Sequence, residues 1–130
     1  MAASFLAPIL TNPTMRWTLR NVRTQRTLAD RLEAAFESAS RNKGLLGRDS
    51  LPEGQALILA PCNSIHMFFM RFSIDVLFMA RNGQVLALRR ALKPWRIAIA
   101  WRAAAVVELP VGAIDQSGTQ IGDLLELTAR

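Results

Sequence analysis

A chain of 130 residues that is 51% hydrophobic and carries a net charge of +6 suits one domain with its own core. Its single cysteine excludes an intramolecular disulfide, and no apolar run is long enough to span a membrane. The charge is uneven: Arg16, Arg20, Arg23 and Arg26 stand in a stretch without an acidic residue, so residues 1–26 carry +4, whereas the remainder holds 12 basic and 10 acidic residues. A nearly balanced body with a basic arm is a weaker signature of polyanion binding than a basic face interleaved with aromatics, and nucleic acid is not the expected partner. The unpaired cysteine fits a reducing cytoplasm.

The N-terminal MAASFLAPIL lacks a basic n-region and is interrupted by Pro8, the wrong pattern for a secretory leader; residues 1–12 are expected to form a poorly ordered arm. In TMRWTLR, Met15, Trp17 and Leu19 alternate with Arg16, Thr18 and Arg20, the period of a half-buried strand. Leu28, Leu32, Ala35, Phe36 and Ala39 then recur at helical spacing, which predicts one α-helix over about residues 27–41 with Thr27 as N-cap and Gly44 as stop. From Leu45 onward the pattern changes to short apolar runs: QALILAP, SIDVLFMA, QVLALRR, RIAIAW, AVVELP and DLLELTA. Six such runs predict a mainly β fold, an antiparallel sandwich or rolled barrel-like sheet, in one domain over residues 1–130.

Asn82-Gly83 between two of these runs is a hairpin signal, since both residue types tolerate positive φ. A two-residue turn there sets Asp75 opposite Arg90, and a three-residue loop sets it opposite Arg89, so a cross-strand ion pair is expected. Ile74, Val76 and Phe78 alternate with Asp75, Leu77 and Met79, leaving both faces largely apolar; this strand is expected inside the sheet. Met67, Phe68, Phe69, Met70 and Phe72 read as strand core, and Trp101 as a core residue.

The order of RNKGLLGRDSLPEG, CNSIHMFFMRFSIDVLFM, LKPWR, VVELPVG and IGDLLEL resembles domain of unknown function family 192, over roughly residues 20–128. Met67 and Ser73 stand where that family commonly has Thr and Pro. The resemblance implies a compact β-sandwich-like domain with one helix; it implies no reaction.

Cys62 and His66 are the only cysteine and histidine, and as a C-x3-H pair they supply two of the three or four ligands that a zinc site needs. No metal and no cofactor are expected, because no further Cys or His exists and the glycines match neither phosphate-loop spacing. A Cys–His dyad is the rival enzymatic reading, although an extended segment would separate the two side chains by about 13 Å. In LKPWR, Trp95 beside Lys93 and Arg96 makes an aromatic, cationic edge suited to anions or protein contacts. The leading expectation is a binding or accessory domain, monomeric or dimeric, whose rim of residues 62–71 and 93–96 recognises a small anionic ligand or a protein segment. Its candidate residues are Cys62, His66, Arg71, Asp75, Lys93, Trp95 and Arg96. An RNA-associated protein acting through the basic N-terminal arm is the third reading.

Overall fold

The structure, a computed structural model, describes residues 4–129. The chain runs α1 (Ala7–Thr11), β1 (Trp17–Asn21), β2 (Thr27–Ala29), β3 (Arg31–Ala35), α2 (Ser38–Lys43), β4 (Gln55–Leu59), β5 (Ser64–His66), β6 (Ile74–Met79), β7 (Val85–Leu92), β8 (Ile97–Ile99), β9 (Ala105–Leu109), α3 (Ala113–Ser117) and β10 (Leu125–Ala129). Five strands form the central sheet in the order β3-β4-β9-β6-β7; β10-β1-β2 form a second sheet and β5-β8 a ribbon. The fold is mainly β, and all six apolar runs are strands.

The central sheet has a core on each face because β6 and β9 are buried along their whole length. Alternate residues serve opposite sides. Ile58, Leu77, Met79, Val107 and Leu109 pack with Leu19, Leu28, Leu125 and Leu127 of the second sheet. Leu57, Leu59, Val76, Phe78 and Val106 pack on the other side with Leu45, Leu51, Ile65, Met67, Met70 and Ala98. The ribbon and the loop after α2 are therefore the lid of the second core.

Two expectations are corrected by this topology. Residues 27–35 form β2 and β3, and the helix is confined to Ser38–Lys43, where Ser40 Oγ receives the Glu37 N–H and donates to the Glu37 carbonyl. The Leu/Ala/Glu/Arg composition favours a helix locally, but parallel pairing of Arg31–Ala35 with Gln55–Leu59 overrides that weak preference. Gly44 does end the helix, at φ 48°. The sheet is mixed for the same reason: β3 and β4 are parallel and need the crossover that α2 provides. The expected arm, residues 1–12, lies in part outside the described residues; from Ser4 on it leads into α1, and Leu6 and Ile9 are buried in the first core.

The hairpin forms at Asn82-Gly83, but Asp75 meets no arginine among the described residues. A register shift between Ile74 and Val76 leaves Arg89 opposite Val76, and Arg90 instead reaches Asp115 at 2.7 Å. Asp75 is buried and accepts three backbone N–H groups: Ala91 at 2.9 Å, Gly112 at 3.1 Å and Ile114 at 3.0 Å. It joins the bulged end of β7 to the start of α3, which makes it a structural staple. Asp75→Ala would strand all three donors, so urea unfolding should show a loss of at least about 3 kcal/mol, with a smaller loss for Asp75→Asn. A loss under about 1 kcal/mol for the alanine variant would contradict the staple.

Candidate functional site

The ribbon brings part of the expected rim together. His66 stands opposite Ile97 and Ser64 opposite Ile99. Trp95 begins a stretch in which alternate residues, Trp95, Ile97, Ile99 and Trp101, are all exposed while Ala98 is buried. Trp101 is thus at the surface, 80% exposed, and the expectation of a core residue is corrected. Only Ile97–Ile99 of this stripe is extended strand; Trp95 and Trp101 stand in the turns at its two ends.

Phe69 and Trp95 adopt left-handed backbone, at φ 64° and 70°, a conformation that costs a non-glycine residue roughly 1–2 kcal/mol. One buried residue holds both turns. Met67 donates its N–H to the Arg96 carbonyl at 2.7 Å, and its carbonyl accepts from Trp95 at 2.8 Å and Met70 at 3.2 Å. The side chains stack outward in sequence: His66 on Phe68 at 4.9 Å, Phe68 near Trp95 at 5.9 Å, Phe69 against Trp95 at 4.8 Å. Residues 67–72 are thus a turn with Met67 and Met70 turned inward and Phe69 outward, where continuous strand core was expected.

Charge accompanies the stripe. Residues 61–104 hold seven basic side chains and a single acidic one, the buried Asp75. Lys93, Arg96 and Arg102 are exposed and have no ion-pair partner among the described residues. Arg71 is paired at 2.7 Å with the exposed Asp49, a contact worth little in water. The N-terminal arginines lie on a different element: Arg23 pairs with Asp123 at 2.7 Å, Arg26 donates to the Gln116 carbonyl at 3.1 Å, and Arg20 bonds Gln25. Arg23, together with Asn21 and the Gln120 N–H, holds the buried Asp123 carboxyl well below the usual carboxylate range.

Cys62 and His66 are not hydrogen-bonded to each other. The Cys62 thiol lies 3.2 Å from the Ser64 carbonyl, and His66 Nδ1 accepts the Phe68 N–H at 3.3 Å. Burial pushes the thiol pKa up, with the nearby Glu108 adding to the shift. A neutral thiol without a base is a poor nucleophile. Iodoacetamide should alkylate Cys62 in the native protein more slowly than free cysteine at pH 7.5; equal or faster reaction would show an activated thiolate.

Sequence reasoning missed Glu108. It stands on β9 opposite Leu57 and Val76 and faces the second core, 5% exposed. No hydrogen bond or ion pair reaches its carboxyl among the described residues. Burial drives its pKa up to about 7, only partly offset by the charge of Arg48. The carboxyl borders a cavity of about 180 Å³, whose walls include Arg41, Lys43, Gly44, Cys62, Ser64 and His66. One acid inside the apolar run AVVELP was the available signal, the same one that marked Asp75. A larger cleft of about 910 Å³ runs between α1, β1 and β3, but its charged residues, Arg16, Asp30, Arg31 and Glu33, are all at least partly exposed. Among the described residues no cluster of three His, Cys, Asp or Glu could hold a metal, and no helix is long and apolar enough to cross a membrane.

Glu108 sets a sign for pH dependence. Its folded pKa lies above the ordinary 4.5, so the stability it lends at low pH is lost as pH rises toward 7. The urea-unfolding difference between the wild type and Glu108→Gln should change by up to about 3 kcal/mol over that interval, in disfavour of the wild type. A difference independent of pH would contradict the buried, unpaired carboxyl. Asp123 acts in the opposite sense, and its contribution disappears as pH falls below about 4.

This arrangement, a mixed sheet with a core on each face and a lidding ribbon, defines a small mainly β domain. Residues 20–127 match the family described as an uncharacterized conserved group, and the chain belongs to domain of unknown function family 192. It is 45% identical over 64 residues to a UPF0127 protein of Thermococcus sibiricus, 48% of this chain and 41% of that protein. A UPF0127 protein of Pyrococcus furiosus is 44% identical over 64 residues, 48% of this chain and 54% of that one. The matched region spans about half the length of these relatives. Two solved structures share the fold. A Novosphingobium aromaticivorans protein of unknown function superposes with a TM-score of 0.73 at 22% identity, over 85% of this chain and 83% of that one. A Sinorhizobium meliloti protein crystallised as a candidate transcription regulator gives 0.74 at 24% identity, over 86% and 92%.

Proposed function

We propose that this domain is a non-enzymatic recognition module whose rim, residues 62–71 and 93–96 extended to Trp101, holds an acidic protein segment carrying apolar side chains. The observation that carries this reading is the exposed stripe of Trp95, Ile97, Ile99 and Trp101 with unpaired Lys93, Arg96 and Arg102 along it. Exposed Trp and Arg are the side chains that most often anchor an interface. The backbone strain stored at Phe69 and Trp95 supports the same reading, since such strain concentrates where side chains are held for a partner. An extended segment suits β8 because that strand is paired on one side only among the described residues, and a strand added there would alternate its own side chains against the stripe. A second copy of the chain is disfavoured by the like charges it would bring together.

The test is tryptophan fluorescence of the whole protein titrated with an extended (Glu-Val)4 peptide, its (Lys-Val)4 counterpart, phosphatidylglycerol vesicles and a uridine oligomer. Saturable binding of the acidic peptide, weakened by salt and reduced at least tenfold by Trp95→Ala or by Arg96→Glu with folding unchanged, is the expected outcome. Binding that ignores both substitutions overturns the proposal, as does a stronger response to vesicles or RNA, or none to the acidic peptide.

A further inference from the structure

Burying a carboxyl without a hydrogen-bond partner is costly, and native proteins seldom do so without a use for the group. Asp75, one strand away, shows what a carboxyl spent on the fold looks like, with three backbone donors on its two oxygens. Glu108 has none. Its Oε1 lies beside Gly44, where a Cβ would sit 3.8 Å away, and the residue lines the cavity.

The walls of that cavity carry both signs of charge. Glu108 is its only acid; Leu45, Leu59, Ile65 and Met70 supply apolar surface, and Arg41 and Lys43 bring positive charge. Arg41 is held in place by its bond to the Phe36 carbonyl at 2.8 Å, whereas Lys43 is exposed without an ion-pair partner among the described residues. A volume of about 180 Å³ is that of roughly six liquid waters, which matches a ligand of about six non-hydrogen atoms. A lone cation would be repelled by Arg41, Lys43 and the nearby Arg48, and a lone anion by Glu108. A molecule with a protonated amine at one end and an anionic group at the other satisfies both.

We infer that the cavity between the α2 terminus and β9 is a binding site for a small zwitterion of amino-acid type, its ammonium on Glu108 and its anionic group toward Arg41 and Lys43. The cavity shares Ser64, Ile65 and His66 of β5 with the rim, but Glu108, Arg41 and Lys43 stand outside the rim, and the ligand is a different one. The ammonium supplies the charge-assisted donor that the carboxyl lacks, and ionisation of Glu108 is then coupled to occupancy.

The experiment is a two-dimensional amide NMR titration of the intact protein with L-alanine, methylammonium and acetate in parallel. Alanine should give saturable shifts at Gly44, Leu45, Cys62 and Ser64, at an affinity at least tenfold above either fragment. Glu108→Gln, checked for a native spectrum, should weaken alanine binding at least tenfold and Lys43→Gln severalfold, while Trp95→Ala leaves it unchanged. Saturation by acetate or methylammonium as readily as by alanine would overturn the assignment. Alanine binding that survives Glu108→Gln or disappears with Trp95→Ala, or the lack of a saturable shift with all three probes, would overturn it equally.

Discussion

The central sheet carries two buried carboxyls on neighbouring strands, and the rest of the molecule is arranged around their different fates. Asp75 on β6 stands opposite Leu109, and Glu108 on β9 stands opposite Val76. With side chains alternating along each strand, the two acids enter opposite cores. Asp75 is satisfied by geometry: the bulge at Ala91 and the turn into α3 at Gly112 both direct N–H groups at it. Gly112 can do so because its φ of 98° is open to glycine, and Ala91 accepts a φ of 49° in exchange for the bond. Glu108 receives no such help, and its enclosure is apolar apart from the cavity it borders.

The second core explains why so much apolar surface stays outside. Its lid is a ribbon of two three-residue strands and the loop after α2, too small to turn every large side chain inward. Ile65, Met67, Met70 and Ala98 close the core, which forces Ile97 and Ile99 to the solvent side of the same strand. Met67 fixes the ribbon to the aromatic turns through three backbone hydrogen bonds, so the exposed stripe and the buried core share one anchor. The surface read as a recognition rim is therefore continuous with the fold and does not sit on a free loop.

Much of the architecture was legible where one period dominated. Both-face apolarity placed β6 inside the sheet, Asn82-Gly83 gave its hairpin, and Gly44 ended the helix. Residues 27–41 were misread because Leu28, Leu32, Ala35 and Phe36 satisfy a helical period in a composition that favours helices, and only pairing with β4 decides against it. The partner of Asp75 was misread because a bulge shifts register without leaving a mark in the hydrophobic pattern. His66 stands opposite Ile97, next in the chain to Trp95 and Arg96, whereas Cys62 lines the cavity and Asp75 lies on the side of the first core. Glu108 was passed over because one acid in an apolar run looks the same whether it faces water, a staple or a cavity.

The contrast between the two carboxyls is tested most directly by following the Glu108 side-chain carboxyl by carbon-13 NMR across a pH titration of the native protein. An unpartnered, buried Glu108 titrates with a midpoint near 7. A midpoint at or below 4.5, the ordinary value, would mean that the group is solvated or hydrogen-bonded, and would contradict that burial.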